Sequence, residues 1–365
     1  MANKAYKFRI YPNSEQKVLF AKTFGCVRFI NNRMLSDKIK YYEETKQKLN
    51  NTPAQYKSEF EWLKEVDSLA LANAQMNLQK AYNNFFRSPK TGFPKFKSKH
   101  RNRSSYTTNN QKGSVAIENG CIKLPKIGFV KLKQHRNIPS DYRLKSVTIN
   151  QTPSGKYYAS VLFEYENQVQ ETELHSFLGL DFSMRELYKD SNGNEPKYPR
   201  YYRSAEKKLK REQGKLSKMQ KGSKNRDKQR IKVAKLHEKV ANQRRDFLHK
   251  RSRQIANAYD CVCIENLDMK VMSQCLNFGK SVADSGWGMF ITFLQYKLEE
   301  SGKKLVKVNK YFASSQICNV CGYKNTVTKN LNVRARDCPE CGTRHDRDVN
   351  AAINIRNEGM RLVNA

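Results

Sequence analysis

The chain has 365 residues and a formal net charge of +35, from 69 Lys and Arg against 34 Asp and Glu. Its length gives room for two or three domains with a sizeable core. The charge exceeds what solubility needs and points to a polyanion partner. A membrane surface is the rival for that charge, but no long apolar run exists and mean hydropathy is −0.83. The opening MANKAYKFRIYPN enters a strand-like pattern without a secretory leader. Outside two CxxC pairs, the cysteines Cys26, Cys121, Cys261, Cys263 and Cys275 are scattered, a reduced intracellular pattern.

Residues 5–11 alternate as AYKFRIY, a half-buried strand. Pro12-Asn13 breaks it, and Ser14, followed by Glu15 and Gln16, is the expected helix N-cap. That helix is expected over 15–48, with Phe20, Phe24, Val27, Ile30 and Met34 as its stripe. A second is expected over 62–86, with Leu69, Ala72, Met76, Ala81 and Phe85 inward. The stretch SPKTGFPKFKSKHRNRSS sets aromatics between cations, as nucleic-acid clamps do. A solvated linker has a similar composition. Over 105–166 short alternating strands follow, with Thr152-Pro153-Ser154-Gly155 as a hairpin turn. With the first strand they read as a small antiparallel β-barrel interrupted by the helices.

HSFLGLDF (175–182) is an apolar strand with Asp181 near its end, and a turn-rich hairpin is expected at 189–194. Residues 203–258 form a basic helical hairpin turning at Lys221-Gly222-Ser223. Leu209 and Leu216 are seven apart, as are Val233, Val240 and Phe247, so it is either a coiled-coil-like pair with solvated charge or a phosphate-facing surface. YDCVCIENL (259–267) is a buried strand, with Cys261 and Cys263 as small core side chains. It ends in Glu265, an acid that is costly there unless paired or metal-bound. An amphipathic helix over 287–300 and a strand over 304–308 follow.

Cys318/Cys321 and Cys338/Cys341 each aim two thiolates at one point, and together they complete a tetrahedral sulfur site suited to zinc. Gly322 and Gly342 let backbone amides approach the sulfurs. Disulfides are the alternative. In HDRDVNAAINI, Asp346 and Asp348 sit where a helix begins, with Ala351, Ala352, Ile353 and Ile355 as its buried stripe. Acids there complement the helix dipole, or bind a metal if other carboxylates converge. The order of elements carrying Asp181, Glu265 and Asp348 fits an RNase H-like fold. In that fold the first and fourth strands are adjacent and the last helix crosses them. Three clustered carboxylates raise one another's pKa. Two Mg2+ about 4 Å apart would relieve that repulsion and support phosphodiester cleavage.

LGLDFS (178–183), CIENL (263–267) and HDRDVNAAINI (345–355), with the CxxC pairs between the last two, resemble the TnpB family. These are transposon-encoded RNA-guided DNA nucleases related to type V CRISPR effectors. YKFRIYPNSEQ, GFPKFKSK, KLPKIG, DSGWG and YFASSQICNVCG extend the resemblance over nearly the whole chain. It implies a multidomain α+β and α/β protein. A wedge β-barrel would span 1–14 and 100–172, with a helical recognition insert at 15–99. An RNase H-like RuvC nuclease would span 173–312 and 346–365, with a zinc-ribbon, target-nucleic-acid-binding insert at 313–345.

By the same resemblance, Asp181, Glu265 and Asp348 are catalytic ligands of Mg2+, and Asp346 flanks them. Cys318, Cys321, Cys338 and Cys341 hold a structural Zn2+. The partners are a guide RNA from the chain's own locus and a double-stranded DNA target, with no membrane. The reaction is cutting of guide-complementary DNA beside a short transposon-associated motif. The place is the cytoplasm and nucleoid of a bacterium or archaeon. The first motif often reads Asp-x-Gly in the family, whereas this chain has Asp181-Phe182-Ser183. Readers of the duplex motif are expected at 68–75 and in TTNNQ, 107–111. The competing readings are an RNA-guided repressor that does not cut, a strand-transferring transposase and a structural zinc-ribbon protein.

Overall fold

The computed structural model describes residues 1–100, 103–275, 279–330 and 333–365. Arg101 and Asn102 of the Lys-rich loop, and residues 331 and 332 between the cysteine pairs, therefore lie outside the described residues. The chain divides into two compact units, Met1–Asn167 and Gln168–Ala365.

In the first unit, β1 (Ala2–Tyr11) leads into α1 (Ser14–Thr45), α2 (Tyr56–Glu59) and α3 (Ser68–Arg87). Six strands follow: β2 (Ser104–Asn109), β3 (Ala116–Glu118), β4 (Cys121–Leu124), β5 (Gly128–Lys133), β6 (Arg143–Gln151) and β7 (Tyr157–Tyr165). They form one antiparallel sheet in the order β2-β6-β7-β1-β5-β4-β3. Among the described residues the hydrogen-bonded run starts at β2 and stops at β3. A curled sheet thus stands where a closed barrel is expected. The inward alternation of β1 buries Tyr6, Phe8 and Ile10. The turn at 152–155 is as expected, with Gly155 at φ +86° and Thr152 N–H bonded to Lys156 O at 2.8 Å.

The N-cap of α1 is Asn13 rather than Ser14. Its side chain accepts from Gln16 N at 2.8 Å, and the Gln16 side chain accepts from Asn13 N at 3.1 Å, a reciprocal capping box. The stripe from Phe20 to Met34 is buried as the spacing requires. The second helix starts later than expected, after a 3-10 turn at Glu61–Glu65, because Asp67 caps it by accepting from Leu69 N. Its buried face is Ala70, Leu71, Ala74 and Leu78, about 180° around the helix from Leu69, Ala72 and Met76, and Met76 is exposed.

The second unit contains β8 (Phe177–Ser183), β9 (Leu187–Asp190), α4 (Tyr201–Lys218), α5 (Lys224–Ala258) and β10 (Cys261–Glu265). Next come α6 (Met269–Cys275), α7 (Gly279–Ser285), α8 (Trp287–Glu299) and β11 (Lys304–Val308). The short β12 (Ala335–Asp337), β13 (Arg344–Asp346) and α9 (Arg347–Asn364) complete it. The main sheet has the order β11-β10-β8-β9, with β10 parallel to both neighbours. The β8–β9 hairpin turns before Leu187. The Asn-rich segment expected to be that turn lies after β9, folded on Asp190, whose carboxylate accepts from Asn192 N and Asn194 N. On α5 Val233, Val240 and Leu248 are buried, whereas Phe247 is only partly covered. The Asp284 of DSGWG accepts from Tyr202 N at 3.0 Å and pairs with Arg244 at 3.4 Å, joining α7 to both arms of the basic hairpin.

The helix α9 lies against β8 and β10 with almost no gap. A Cβ on Gly179 would stand 2.0 Å from Ala352 O, and one on Gly359 would stand 2.2 Å from Cys263 Sγ. Glycine at these crossings, and alanine at 351 and 352, are what bring the helix axis that close. Gly179→Ala is therefore expected to cost about 3 kcal/mol or more by overpacking, read as a lowered midpoint in urea denaturation. A midpoint equal to wild type would show that the helix can retreat freely.

Candidate active site and metal centre

Leu180 on β8 pairs with Ile264 on β10 in parallel register. The next residue on each strand is an acid, Asp181 and Glu265. Side chains at the same level of adjacent parallel strands share a face, so the two carboxylates leave the sheet edge side by side. The first turn of α9 adds Asp348. Burial raises the Asp181 carboxyl well above the usual carboxylate range, and the negative charges of Glu265 and then Asp348 push it further, with Arg347 opposing. Burial also raises Glu265, against a hydrogen bond from Ser314 and the charge of Arg347. Asp181 thus feels the charge of both other sequence-selected acids, Glu265 and Asp348. A raised folded-state pKa means that the stability from these groups is present below the ordinary carboxylate range. It is lost as pH rises through the raised values. At neutral pH the cluster is therefore a standing cost that a bound cation would offset.

Asp348 Oδ2 also accepts from Arg334 Nη1 at 3.2 Å. Asp346 has a different task. It is the N-cap of α9, its Oδ1 accepting from Asp348 N at 3.0 Å and Val349 N at 2.9 Å. Of the expected stripe, Ala351, Ala352 and Ile355 are buried and Ile353 is only partly so.

Sequence reasoning missed two supports. Ser314 Oγ donates to Glu265 Oε1 and fixes that carboxylate. Asn350 and Asn354, one helical turn apart on one face, bind the chain around the first cysteine pair. Asn350 Nδ2 donates to Ile317 O and its Oδ1 accepts from Asn319 N, while Asn354 Nδ2 donates to Ser314 O and Ile317 O. The i, i+4 asparagines in DVNAAIN were the available signal. Ser314 carried none.

The four cysteine sulfurs lie within 4.8 Å of one another. Cys318 Sγ is 3.7 Å from Cys341 Sγ, and Cys321 Sγ is 3.6 Å from Cys338 Sγ. Tetrahedral zinc with bonds of about 2.3 Å needs sulfur–sulfur edges near ~3.8 Å, so the donor set fits the ion, and these separations rule out disulfides. The two knuckles share one backbone pattern. Gly322 N bonds to Cys318 O and Gly342 N to Cys338 O, each at 2.9 Å with the glycine at positive φ. The Thr343 hydroxyl and backbone N–H lower the Cys341 thiol, while its sulfur neighbours, Cys341 among them, raise Cys321. His345, buried and also missed, places Nε2 3.1 Å from Cys318 Sγ.

The expected duplex readers are partly committed elsewhere. Thr108 is buried and donates to Asp67, and Thr107 pairs with Thr148. Asn110 spends both ends of its amide on Leu144 O and Val115 N, and Gln75 donates to Asn51 O. On the hairpin, Lys207, Lys208, Lys210 and Arg211 are exposed.

Family models match three segments: "Probable transposase" over residues 160–276, "Cas12f1-like, TNB domain" over 287–355, and "Helix-turn-helix domain" over 1–47. A Streptomyces pristinaespiralis protein described as "Putative RNA-guided DNA endonuclease" is 31% identical over 98% of this chain and 89% of its own. The chain belongs to the TnpB family. A relative from Escherichia coli K12, "Putative RNA-guided DNA endonuclease InsQ", is 29% identical over 99% of this chain and 93% of its own. A solved Cas12f1, in complex with sgRNA and target DNA, shares the fold at TM-score 0.63 over 98% of this chain and 99% of its own, at 14% identity. The TnpB segment matched as helix-turn-helix is here a strand and one continuous 32-residue helix.

Proposed function

We propose that this protein is an RNA-guided DNA endonuclease of a mobile element, cutting guide-complementary DNA beside a short duplex motif. The observation that supports it is the register of β8 on β10, in which Asp181 and Glu265 follow the paired Leu180 and Ile264, together with the charge of Asp348 acting on Asp181. In the wider layout, the curled sheet of the first unit is the wedge and α1 to α3 the recognition insert. The sheet of the second unit with α9 is the RuvC nuclease, and the cysteine ribbon is its target-nucleic-acid-binding insert. The anionic donor set of Asp181, Glu265 and Asp348 fits Mg2+. Bound there, Mg2+ supplies an activated water and a stabilised leaving oxygen for phosphodiester hydrolysis. The chain's own residues prepare the site. Ser314 orients Glu265, Asp346 sets the start of the helix bearing Asp348, and Asn350 and Asn354 fix that helix to the ribbon.

Guide RNA from the chain's own locus and target DNA are the polyanions that match the charge of +35. The decisive experiment sequences RNA that co-purifies with the protein, then assays cutting of matching DNA. A defined RNA with guided, Mg2+-dependent cutting is expected. Strand transfer without bound RNA would establish a transposase instead. Within this reading, Lys207, Lys208, Lys210 and Arg211 face phosphate. Replacing all four by Ala should weaken RNA binding and reduce the slope of log affinity against log salt by up to about 3. An unchanged slope, measured by filter binding across a salt series, would assign them to solvent.

A further inference from the structure

The C-terminal end of α3 and the loop after it expose an aromatic cluster that the cleavage chemistry does not use. Tyr82 and Phe86 stack with centroids 6.3 Å apart and planes at 19°. Phe93, from the loop, meets Tyr82 edge-on at 5.5 Å and Phe85 at 5.4 Å. Phe86 is 75% exposed and Phe93 is 44% exposed, and nearby Phe96 is 58% exposed. Three water-facing phenylalanines within eleven positions are unusual in a unit that buries Phe8, Phe20 and Phe24 completely or nearly so.

The loop is not a slack linker. Asn32 of α1 clamps its backbone, its Nδ2 donating to Lys97 O and its Oδ1 accepting from Lys97 N, both at 2.8 Å. The rings are therefore presented on a fixed support. Their surroundings have one sign: Arg87, Lys90, Lys95 and Lys99 are exposed, and the sequence carries no acid between Asp67 and Glu118. A purely apolar partner would leave those cations unmatched. A partner with flat π-faces and phosphates matches both features.

We propose that Tyr82, Phe85, Phe86 and Phe93 form a stacking platform for an unpaired base of single-stranded RNA, with Arg87, Lys90, Lys95 and Lys99 on the adjoining phosphates. This rests on the reading of the chain as an RNA-guided nuclease and adds the place where it grips an RNA base outside a duplex. Bases of a target duplex are already stacked on one another, whereas the loops and ends of a folded RNA offer free faces.

The test uses the full-length protein and a single-stranded RNA of about 16 adenosines carrying one fluorescent base analogue. Wild type should quench the analogue. Phe86→Ala with Phe93→Ala should weaken binding about ten-fold and remove the quenching, with the salt slope unchanged because no phosphate contact is lost. Phe86→Tyr with Phe93→Tyr should restore both, which a mere loss of fold would not allow. Lys95→Ala with Lys99→Ala should lower the slope and keep the quenching. Wild-type affinity and quenching in the double-alanine protein would overturn the platform, as would tighter binding of the matching deoxyadenosine strand. So would a double-alanine protein that changes its self-association in light scattering while holding RNA normally, since the face would then be a protein contact. A wild type that neither binds the RNA nor cuts guided DNA would sink the nuclease reading itself. A wild type that does both beside an unaffected variant sinks only the platform.

Discussion

Asp348→Ala should abolish cutting while leaving guide and target binding in place. Asp348 lies in the first turn of α9 and its charge acts on Asp181, which follows Leu180 on β8 as Glu265 follows Ile264 on β10. On the proposed reading, removing it takes one anchor from the cation site and nothing from the basic surfaces. The expected loss in cleavage rate is about 100-fold or more, the scale on which one pre-placed electrostatic contact to a transition state acts. Binding should survive, because it rests on cations and on base pairing. Asp346→Ala should be milder. It loses two backbone hydrogen bonds at the helix start, a cap worth about 1 kcal/mol.

A thermal readout separates this account from simple damage to the fold. With Asp181 and Glu265 both raised, the metal-free cluster is least comfortable at neutral pH and above. Mg2+ should raise the melting temperature of wild type there, and the effect should vanish in Asp348→Ala and fade as pH falls through the raised values. Wild-type cutting by Asp348→Ala, or Asp346→Ala as the inactive variant, would displace the site.

The residues of the candidate site stand out in the sequence more than the fold around them, for a physical reason. An acid at the end of an apolar strand, or a cysteine pair at ribbon spacing, is improbable without a chemical partner, so Glu265 and Cys338 announce themselves. The strands of the second unit were equally plain, since parallel strands buried on both faces read as continuous apolar runs, as Cys261 to Ile264 do. The phase of α3 was not legible. Leu69, Ala72 and Met76 on one face are about as apolar as Ala70, Leu71 and Ala74 on the other, so periodicity alone does not choose between them and packing does. Asn13 and Ser14 are both good caps, and only Gln16 reaching back to Asn13 decides between them. Ser314 was invisible because a serine gains its role solely from the carboxylate the fold sets before it.

Cys338→Ser should remove the zinc and, with it, cutting. Cys338 is buried in the tetrad, 3.6 Å across from Cys321. Four sulfurs complete a tetrahedron, so the ion has no open position and cannot activate water. Its contribution is to hold the ribbon, and structural zinc supplies on the order of 10 kcal/mol to small folds of this kind. With one thiolate replaced, the knuckles lose their common centre. Several groups of the candidate site are bonded to residues around that centre. Asn350 and Asn354 bind the backbone at Ser314, Ile317 and Asn319, Ser314 in turn holds Glu265, and Arg334 pairs with Asp348. Zinc per chain by elemental analysis, protease sensitivity over 313–345 and guided cleavage should therefore move together, and added Mg2+ should not restore cutting. Full zinc occupancy in Cys338→Ser would end the assignment of the tetrad. Loss of zinc with cleavage untouched would show instead that the ribbon and the carboxylates act independently, and that the asparagine bridges between them transmit nothing.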